Sequence, residues 1–299
     1  MHTMWPKKSL KLTANKHIAI TGSNGFIGSE IKKHLLKKGY KLSCLQRNIP
    51  AQKEKGVTYI KYELSNKNAL HKLEDVTHII HTAYQAYNIK SKNADSTNII
   101  GTSALIEYAK LKNIPITFLS TLSAHSKAKS HYGLNKLYLE GLFNLEKDCI
   151  LKLGLVIGSK GLFSKIKEII NKALFIPLIG GGKQPIQTIG ITDLHIVIEN
   201  IISKNIKGRY NVAEEMAFPM MELYTNTADY LNKKIRFVPI PYWLIYNTCQ
   251  ILEFFGLELP VSSESVIGLK CLRKFETAKD IKTLGVSIST FKENLKKLS

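Results

Sequence analysis

The stretch that decides the fold lies near the start of the 299-residue chain and reads Ile18-Ala19-Ile20-Thr21-Gly22-Ser23-Asn24-Gly25-Phe26-Ile27-Gly28. Its first three residues predict a short buried strand, and the residues from Phe26 onwards begin a helical pattern. The glycines between them predict a tight turn. In this context Gly22 allows the sharp turn, Gly25 lets the backbone approach a pyrophosphate, and Gly28 lets the helix pack closely against the strand. The amides of a helix N-terminus also attract phosphate, so the stretch predicts a dinucleotide site.

Strand-like and helix-like segments alternate through the first half of the chain. The strand-like segments are residues 17–21, 41–46, 57–62, 77–81, 116–119 and 149–153, and the helix-like ones are 25–38, 67–73, 94–112 and 131–146. Such alternation predicts an α/β fold, a doubly wound parallel sheet with helices on both faces.

The pattern changes after about residue 155, where glycine-rich loops separate helix-like segments from short strands. The helix-like segments are residues 162–173, 193–204, 219–232 and 241–255, and strands are predicted near 208–212 and 235–239. We therefore expect a basic extension over 1–15, a nucleotide-binding domain over 16–157, and a smaller mixed substrate-binding region over 158–299. The last two should be interleaved.

Composition narrows the function classes. The net charge of +20 could suit nucleic acid, but the basic residues are almost all lysines spread along the chain, so we expect no nucleic-acid partner. The same positive field would attract an anionic phosphorylated substrate. The four cysteines form no CxxC pair and no metal pattern with histidine, so no metal is expected.

The N-terminus and the longest apolar stretch bear on location. Residues 1–16 are polar and basic rather than signal-like, and the apolar stretch 238–261 is interrupted by prolines and polar side chains. We expect a cytoplasmic protein without a transmembrane segment. Residues 238–257 could still form a surface against a partner or a bilayer, but a helix covering the substrate region is the preferred interpretation.

Tyr132 and Lys136 form a candidate catalytic pair. They are one helical turn apart and share a face, and an ammonium near a phenol favours the phenolate and lowers its pKa. The pair follows the strand that ends in Ser120 and Thr121, and ligands of parallel sheets bind beyond such strand ends. Thr121 or Ser120 could therefore donate a hydrogen bond to a substrate oxygen while Tyr132 transfers a proton.

These motifs together resemble the extended short-chain dehydrogenase/reductases, also called the NAD-dependent epimerase/dehydratase family. The matching pieces follow the family order: residues 21–28, 75–83, 98–102, 119–121 and 132–136, with 154–158 and 190–194 similar to later family stretches. The resemblance implies a Rossmann-type fold and an NAD(P)-dependent oxidoreductase or epimerase. By resemblance, the helices at 94–112 and 131–146 would pair across a homodimer interface.

The resemblance also implies roles for matching residues. Tyr132 would be the acid/base, Lys136 would hold the ribose hydroxyls and tune Tyr132, and Thr121 would polarise the substrate oxygen. Ala83 would pass near the nicotinamide ribose. The remaining cofactor-binding residues of the turn would be Gly22, Ser23, Asn24, Gly25, Phe26, Ile27 and Gly28.

Arg47 bears on the choice of dinucleotide. NAD-specific relatives usually place an acidic residue near this strand end, whereas Gln46, Arg47 and Asn48 offer no carboxylate. A guanidinium suits the 2′-phosphate of NADP, so we predict NADP, with NAD as the possible alternative. Arg47 could also stack on adenine without discriminating between the two.

Departures from the family pattern limit the substrate. Leu122 and Ser123 replace the acidic pair of nucleotide-sugar dehydratases, which disfavours dehydration. Lys152 and Gln187 stand where many nucleotide-sugar enzymes have arginines. A keto-sugar reductase or 4-epimerase acting on a nucleotide-activated sugar is the first prediction. An NADP-dependent carbonyl reductase of a non-sugar small molecule, or a non-catalytic nucleotide-binding subunit, is the alternative.

Overall fold

The computed structural model of the protein describes residues 16–86, 93–257 and 261–298, and the predicted extension over residues 1–15 lies outside them. The strands are β1 (His17–Thr21), β2 (Lys41–Gln46), β3 (Val57–Lys61), β4 (His78–His81), β5 (Ile116–Thr121), β6 (Cys149–Leu153), β7 (Leu155–Ile157), β8 (Phe175–Ile179), β9 (Pro185–Ile186), β10 (Thr188–Gly190), β11 (Gly208–Val212), β12 (Phe218–Pro219) and β13 (Arg236–Ile240).

The α-helices are α1 (Phe26–Lys37), α2 (Ala94–Leu111), α3 (His131–Glu140), α4 (Gly161–Lys172), α5 (Ile191–Lys204), α6 (Met220–Tyr230), α7 (Tyr242–Phe254), α8 (Ser263–Lys270), α9 (Ala278–Leu284) and α10 (Phe291–Lys296). Two short 3₁₀ helices cover Lys67–Lys72 and Gly180–Gly182. Within the described residues, no helix is long and apolar enough to cross a membrane.

A seven-stranded parallel sheet forms the centre of the fold, in the order β3-β2-β1-β4-β5-β6-β11. One apolar core lies between the sheet and helices α1 and α5, and a second lies on the face covered by α2 and α3. The predicted doubly wound α/β fold is confirmed. The strand order reverses between β1 and β4, which is where ligands of such sheets bind.

The later part of the chain forms three two-stranded sheets beside the main one: β7 with β10, β8 with β13, and β9 with β12. The predicted strand at 208–212 is β11, which completes the central sheet and so mixes the two halves of the chain. The short strands β7, β9, β10 and β12 were not predicted, because segments of two or three residues have no readable period.

The predicted helix over 131–146 is wrong in length, because α3 ends at Glu140. Gly141 follows as the C-cap, and the next residues form a turn held by Asp148, whose carboxylate accepts from the Asn144 amide at 3.2 Å. Glycine and asparagine favour such endings and turns over a continued helix.

Candidate active site

The glycine turn after β1 has the backbone geometry that the sequence predicted. Gly22 adopts φ = +69°, a left-handed conformation that a side chain would strain. A Cβ at Gly28 would lie 2.4 Å from the Gly22 carbonyl oxygen, so α1 can approach the turn only without a side chain there. The first turn of α1 contains no acidic residue, and its N-cap, Gly25, is exposed. The amides at this helix end are therefore free to bind an anion.

The turn is fixed to the neighbouring strand β2. The Gly22 amide donates to the Leu45 carbonyl at 2.9 Å, and the buried Ser23 hydroxyl donates to the Gln46 side-chain oxygen at 2.8 Å. The side-chain amide of Gln46 in turn donates to the Asn48 carbonyl at 2.7 Å. Arg47 lies between them with an exposed side chain. The structure thus brings Arg47 beside the glycine turn, at the same edge of the sheet.

The end of β4 lies directly against the turn. The Ala83 amide donates to the Thr21 hydroxyl at 3.2 Å, and a Cβ at Gly22 would lie only 2.8 Å from the Ala83 nitrogen. The Thr82 hydroxyl donates to the Thr21 carbonyl at 2.6 Å. His81 is fully buried and its Nδ1 is 2.7 Å from the Thr21 hydroxyl. Its burial, with Lys136 nearby, lowers its pKa to about 3, so it is a neutral packing residue.

Thr121 and Tyr132 meet at the end of β5. The Thr121 hydroxyl faces the Tyr132 hydroxyl and acts to lower its pKa, and the Thr121 oxygen accepts from the Ser123 amide at 3.1 Å. Tyr132 leaves 43% of its surface exposed, while its hydroxyl end lies against Thr121. Burial raises the pKa of Tyr132, and the bond from Thr121 opposes that rise. The predicted lowering of this pKa by Lys136 is therefore wrong.

The surroundings of Lys136 explain the difference. Its ammonium is buried, donates to the Leu119 carbonyl at 2.8 Å, and lies 4.5 Å from the ring centroids of both Tyr84 and Phe118. Burial lowers the pKa of Lys136 to about 7, and the Glu140 carboxylate opposes this shift. The side chain is thus only partly charged at neutral pH, which weakens its effect on the phenol.

Tyr84 connects the two halves of the site and was missed in the sequence. Its ring meets the Tyr132 ring edge-on at 5.4 Å, and it directly follows Ala83, which contacts the glycine turn. The Tyr84 hydroxyl is buried without a hydrogen-bond partner among the described residues. The only sequence signal was its position one residue beyond the family-like stretch 75–83.

A buried ionic cluster beneath β5 was also missed. The Glu140 carboxylate is 1% exposed, accepts from the Ser120 hydroxyl at 2.5 Å, and is paired with Lys152 at 3.3 Å and Arg209 at 3.4 Å. The Lys152 ammonium also donates to the Ala124 carbonyl. Ser120 therefore acts within this cluster, and Thr121 is the strand-end hydroxyl that meets Tyr132.

The side chain of Gln187 forms hydrogen bonds to other parts of the protein. Its side-chain amide donates to the carbonyls of Glu214 at 2.9 Å and Phe275 at 3.0 Å, and its oxygen accepts from the Phe275 amide at 2.9 Å. Asp193 likewise accepts from the Ser289 amide at 2.8 Å. Both residues hold distant parts of the chain together, and Lys152 is committed to Glu140 in the same way.

These residues fit a dinucleotide. The cradle at Gly22 and Gly28 admits no side chain, the amides at the start of α1 can bind phosphate, and the unpartnered Tyr84 hydroxyl lies beside Tyr132. The four cysteines are unpaired, and the described residues contain no group of three or more histidine, cysteine or acidic side chains that could hold a metal ion.

Comparison with known proteins agrees with this geometry. Residues 18–141, which contain the glycine turn, Thr121, Tyr132 and Lys136, match the sequence profile described as the NAD dependent epimerase/dehydratase family. This match lies within the nucleotide-binding part of the chain. The resemblance inferred from the sequence motifs is confirmed. The chain shares 23% identity over 252 residues with the uncharacterized protein y4nG of Sinorhizobium fredii. The match covers 76% of this chain and 63% of the length of that relative.

Solved structures share the fold. The UDP-N-acetylglucosamine 4-epimerase from Bacillus cereus superposes with a TM-score of 0.71 at 16% identity, covering 94% of each chain. The Bordetella bronchiseptica enzyme WbmG, solved in complex with NAD and UDP, gives a TM-score of 0.70 at 15% identity, over 93% of this chain and 92% of that one. These neighbours extend the fold assignment beyond residue 141, to almost the whole chain.

Proposed function

We propose that this protein is an NAD(P)-dependent oxidoreductase or epimerase that acts on a nucleotide-activated sugar, as a keto-sugar reductase or a 4-epimerase. The observation that carries the proposal is the meeting of Thr121 and Tyr132 at the end of β5, with the Tyr84 ring against Tyr132 connecting them to the glycine turn. The nicotinamide would carry the hydride when bound. The substrate class is supported by two structural neighbours, a UDP-N-acetylglucosamine 4-epimerase and the enzyme WbmG, which was solved in complex with NAD and UDP.

In this proposal Tyr132 passes a proton to or from the substrate oxygen. Thr121 donates a hydrogen bond to the Tyr132 hydroxyl. A phenol with a raised pKa remains protonated at neutral pH and is suited to act first as an acid, which is the direction that carbonyl reduction needs. Lys136 would hold the ribose hydroxyls of the bound cofactor. Residues 22–28 would hold its phosphates, and Ala83 would lie near the nicotinamide ribose.

NADP is the proposed dinucleotide. Arg47 is exposed beside the glycine turn, and the neighbouring Gln46 holds Ser23 and Asn48 rather than offering a carboxylate to the adenosine ribose. A guanidinium forms charge-assisted bonds with a 2′-phosphate, whereas NAD offers only hydroxyls there. Residues 158–299 are proposed to supply the substrate contacts, and the cytoplasm remains the expected location.

A homodimer is also proposed, through α2 and α3. Both helices carry exposed apolar side chains, among them Ile100, Leu134 and Tyr138. Burying these residues against a second copy would remove apolar surface from water. Sedimentation should give the mass of a dimer for wild type and of a monomer for Tyr138→Glu, and a monomeric wild type would contradict this part of the proposal.

A second candidate is carbonyl reduction of a non-sugar small molecule. The observation that favours it is the commitment of Gln187 and Lys152 to bonds inside the protein, where many nucleotide-sugar enzymes have arginines. A substrate diphosphate would then have to be held by other cations. This candidate keeps the same roles for Thr121, Tyr132 and Lys136 and differs only in the substrate.

One panel experiment distinguishes the candidates. The protein is incubated with NADPH or NADH and with nucleotide keto-sugars, nucleotide sugars, or simple ketones and aldehydes. Loss of the reduced-nicotinamide absorbance measures reduction, and chromatography of the sugar products measures epimerisation. Turnover of the nucleotide-linked compounds alone is expected. Turnover of only the simple carbonyl compounds would favour the second candidate, and dinucleotide binding without any turnover would favour a non-catalytic role.

A further inference from the structure

Helix α7 presents a long, uncharged and largely apolar face to solvent. Trp243 is 66% exposed, Phe254 is 85% exposed, and Leu244, Ile251 and Phe255 are exposed along the same helix. The charged residue of α7, Glu253, instead accepts from the amide and hydroxyl of Ser263, where α7 meets α8. Only Cys249 is buried within the helix. Monomeric proteins rarely leave so many large apolar side chains together in water, so we expect this face to contact a partner.

A basic groove adjoins the first turn of the same helix. It has a volume of about 630 Å³ and is lined by Tyr242, Trp243 and Tyr246 together with the cations Lys127, Lys129, Lys270 and Arg273. None of these four cations forms an ion pair with any residue in the described parts of the chain. The apolar face and an uncompensated positive rim are therefore continuous at Trp243.

This combination favours one class of occupant. A second copy would bring like-charged rims together on a chain with a net charge of +20, which opposes association through this face. An anionic lipid surface satisfies both parts, because phosphate headgroups neutralise the cations while tryptophan and phenylalanine enter the interface. At about 1.5 Å per residue, α7 is about 20 Å long, too short to cross the hydrocarbon core of about 30 Å.

We propose that this protein docks on anionic membranes, with α7 lying in the bilayer interface and the groove cations binding lipid phosphates. Trp243, Phe254 and Phe255 enter the interface, and Lys127, Lys129, Lys270 and Arg273 face the headgroups. The proposal does not depend on the proposed enzymatic function, because its test measures vesicle binding and none of these residues belongs to the glycine turn or is Thr121, Tyr132 or Lys136.

The test is co-sedimentation with vesicles of phosphatidylcholine alone or mixed with phosphatidylglycerol. We expect binding to the mixed vesicles only, weakened by added salt. The double variant Trp243→Ser/Phe254→Ser should bind at least about tenfold more weakly, because two aromatic side chains no longer leave water. Lys270→Gln and Arg273→Gln should each weaken binding about fivefold.

Matched controls come from helices α1 and α5, outside α7 and the groove. Ile196→Ser on α5 and Lys37→Gln on α1 replace exposed residues and should bind like wild type. Every variant should keep the wild-type circular dichroism and melting temperature. In addition, Trp5→Phe leaves Trp243 as the sole tryptophan, and its fluorescence should shift to the blue on the mixed vesicles.

Three outcomes would overturn the proposal. The first is no binding to the mixed vesicles, and the second is equal binding by wild type and the aromatic double variant. The third is a concentration-dependent dimer that Phe254→Ser dissociates, because the α7 face would then cover a second copy of the chain.

Discussion

The ammonium of Lys136 donates to the Leu119 carbonyl at 2.8 Å, two residues before Thr121 on the same strand. The lysine that follows Tyr132 by one helical turn is therefore held in the protein interior, with Tyr84 and Phe118 against it. Thr121 and Tyr132, the proposed hydrogen-bond donor and the proposed acid/base, therefore lie close to a lysine whose charge depends on pH near neutrality.

Lys136 should make stability depend on pH in a defined window. Burial lowers the pKa of Lys136 from 10.5 to about 7, so folding disfavours its charged form. The free-energy cost of burying the charged lysine is absent above about pH 10.5, and it destabilises the fold progressively as the pH falls to about 7. Over that window, the difference in unfolding free energy between wild type and Lys136→Met should change by up to about 1.4 kcal/mol per pH unit. Urea unfolding of both proteins measures it, and parallel curves would contradict the lowered pKa.

Thr121→Val should shift the pH dependence of catalysis upward. The Thr121 hydroxyl lowers the pKa of Tyr132 against the effect of burial, so its removal lets that pKa rise further. Loss of one hydrogen bond of this kind should also lower kcat about tenfold. Thr121→Ser keeps the hydroxyl and serves as the matched control. An unchanged pH profile of kcat in the valine variant would show that Thr121 does not tune Tyr132.

Arg47→Ala should change the preference between dinucleotides. Without the guanidinium, the KM for NADPH should rise about tenfold to a hundredfold, because a charge-assisted contact is lost, while the KM for NADH stays near its wild-type value. Lys53→Ala, a change at another exposed cation after β2, is the control and should leave both constants unaltered. Equal values for NADPH and NADH in the wild type would contradict the proposed NADP preference directly.

Glu140→Gln should destabilise the protein by about 3–5 kcal/mol, because it leaves the buried Lys152 and the neighbouring Arg209 without their carboxylate. Glu168→Gln removes an exposed carboxylate paired with Lys172 and should leave the unfolding free energy unchanged. Denaturant unfolding compares the two variants. A small loss for Glu140→Gln would mean that the cluster is not needed to hold β5, β6 and α3 together.

The sequence predicted what local patterns determine. The alternation of strands and helices predicted the parallel sheet from β1 to β6, and the glycine spacing predicted the turn that Gly22 and Gly28 form. A strand was predicted at the position of β11, but its place at the edge of this sheet was not. The end of α3 and the two-residue strand β9 were missed, because glycine capping and pairing with a distant segment decide them.

The order of motifs predicted Thr121, Tyr132 and Lys136 as site residues, and the structure brings the first two into contact. The electrostatics of these residues were less predictable. The position of the Lys136 ammonium depends on its contacts with Leu119, Tyr84 and Phe118, which come from other strands and loops. A helical spacing of one turn indicates that two side chains share a face, but it does not indicate how water or carbonyl oxygens surround them.

The most direct test of the central claim is Tyr132→Phe, assayed with any substrate that the panel identifies. The proposed proton transfer requires its hydroxyl, so kcat should fall about 10² to 10⁴-fold, while the Kd for NADPH, measured by fluorescence, stays within a few-fold of wild type. Tyr138→Phe on the same helix is the matched control and should retain full activity. Unchanged turnover by Tyr132→Phe would contradict the proposed mechanism.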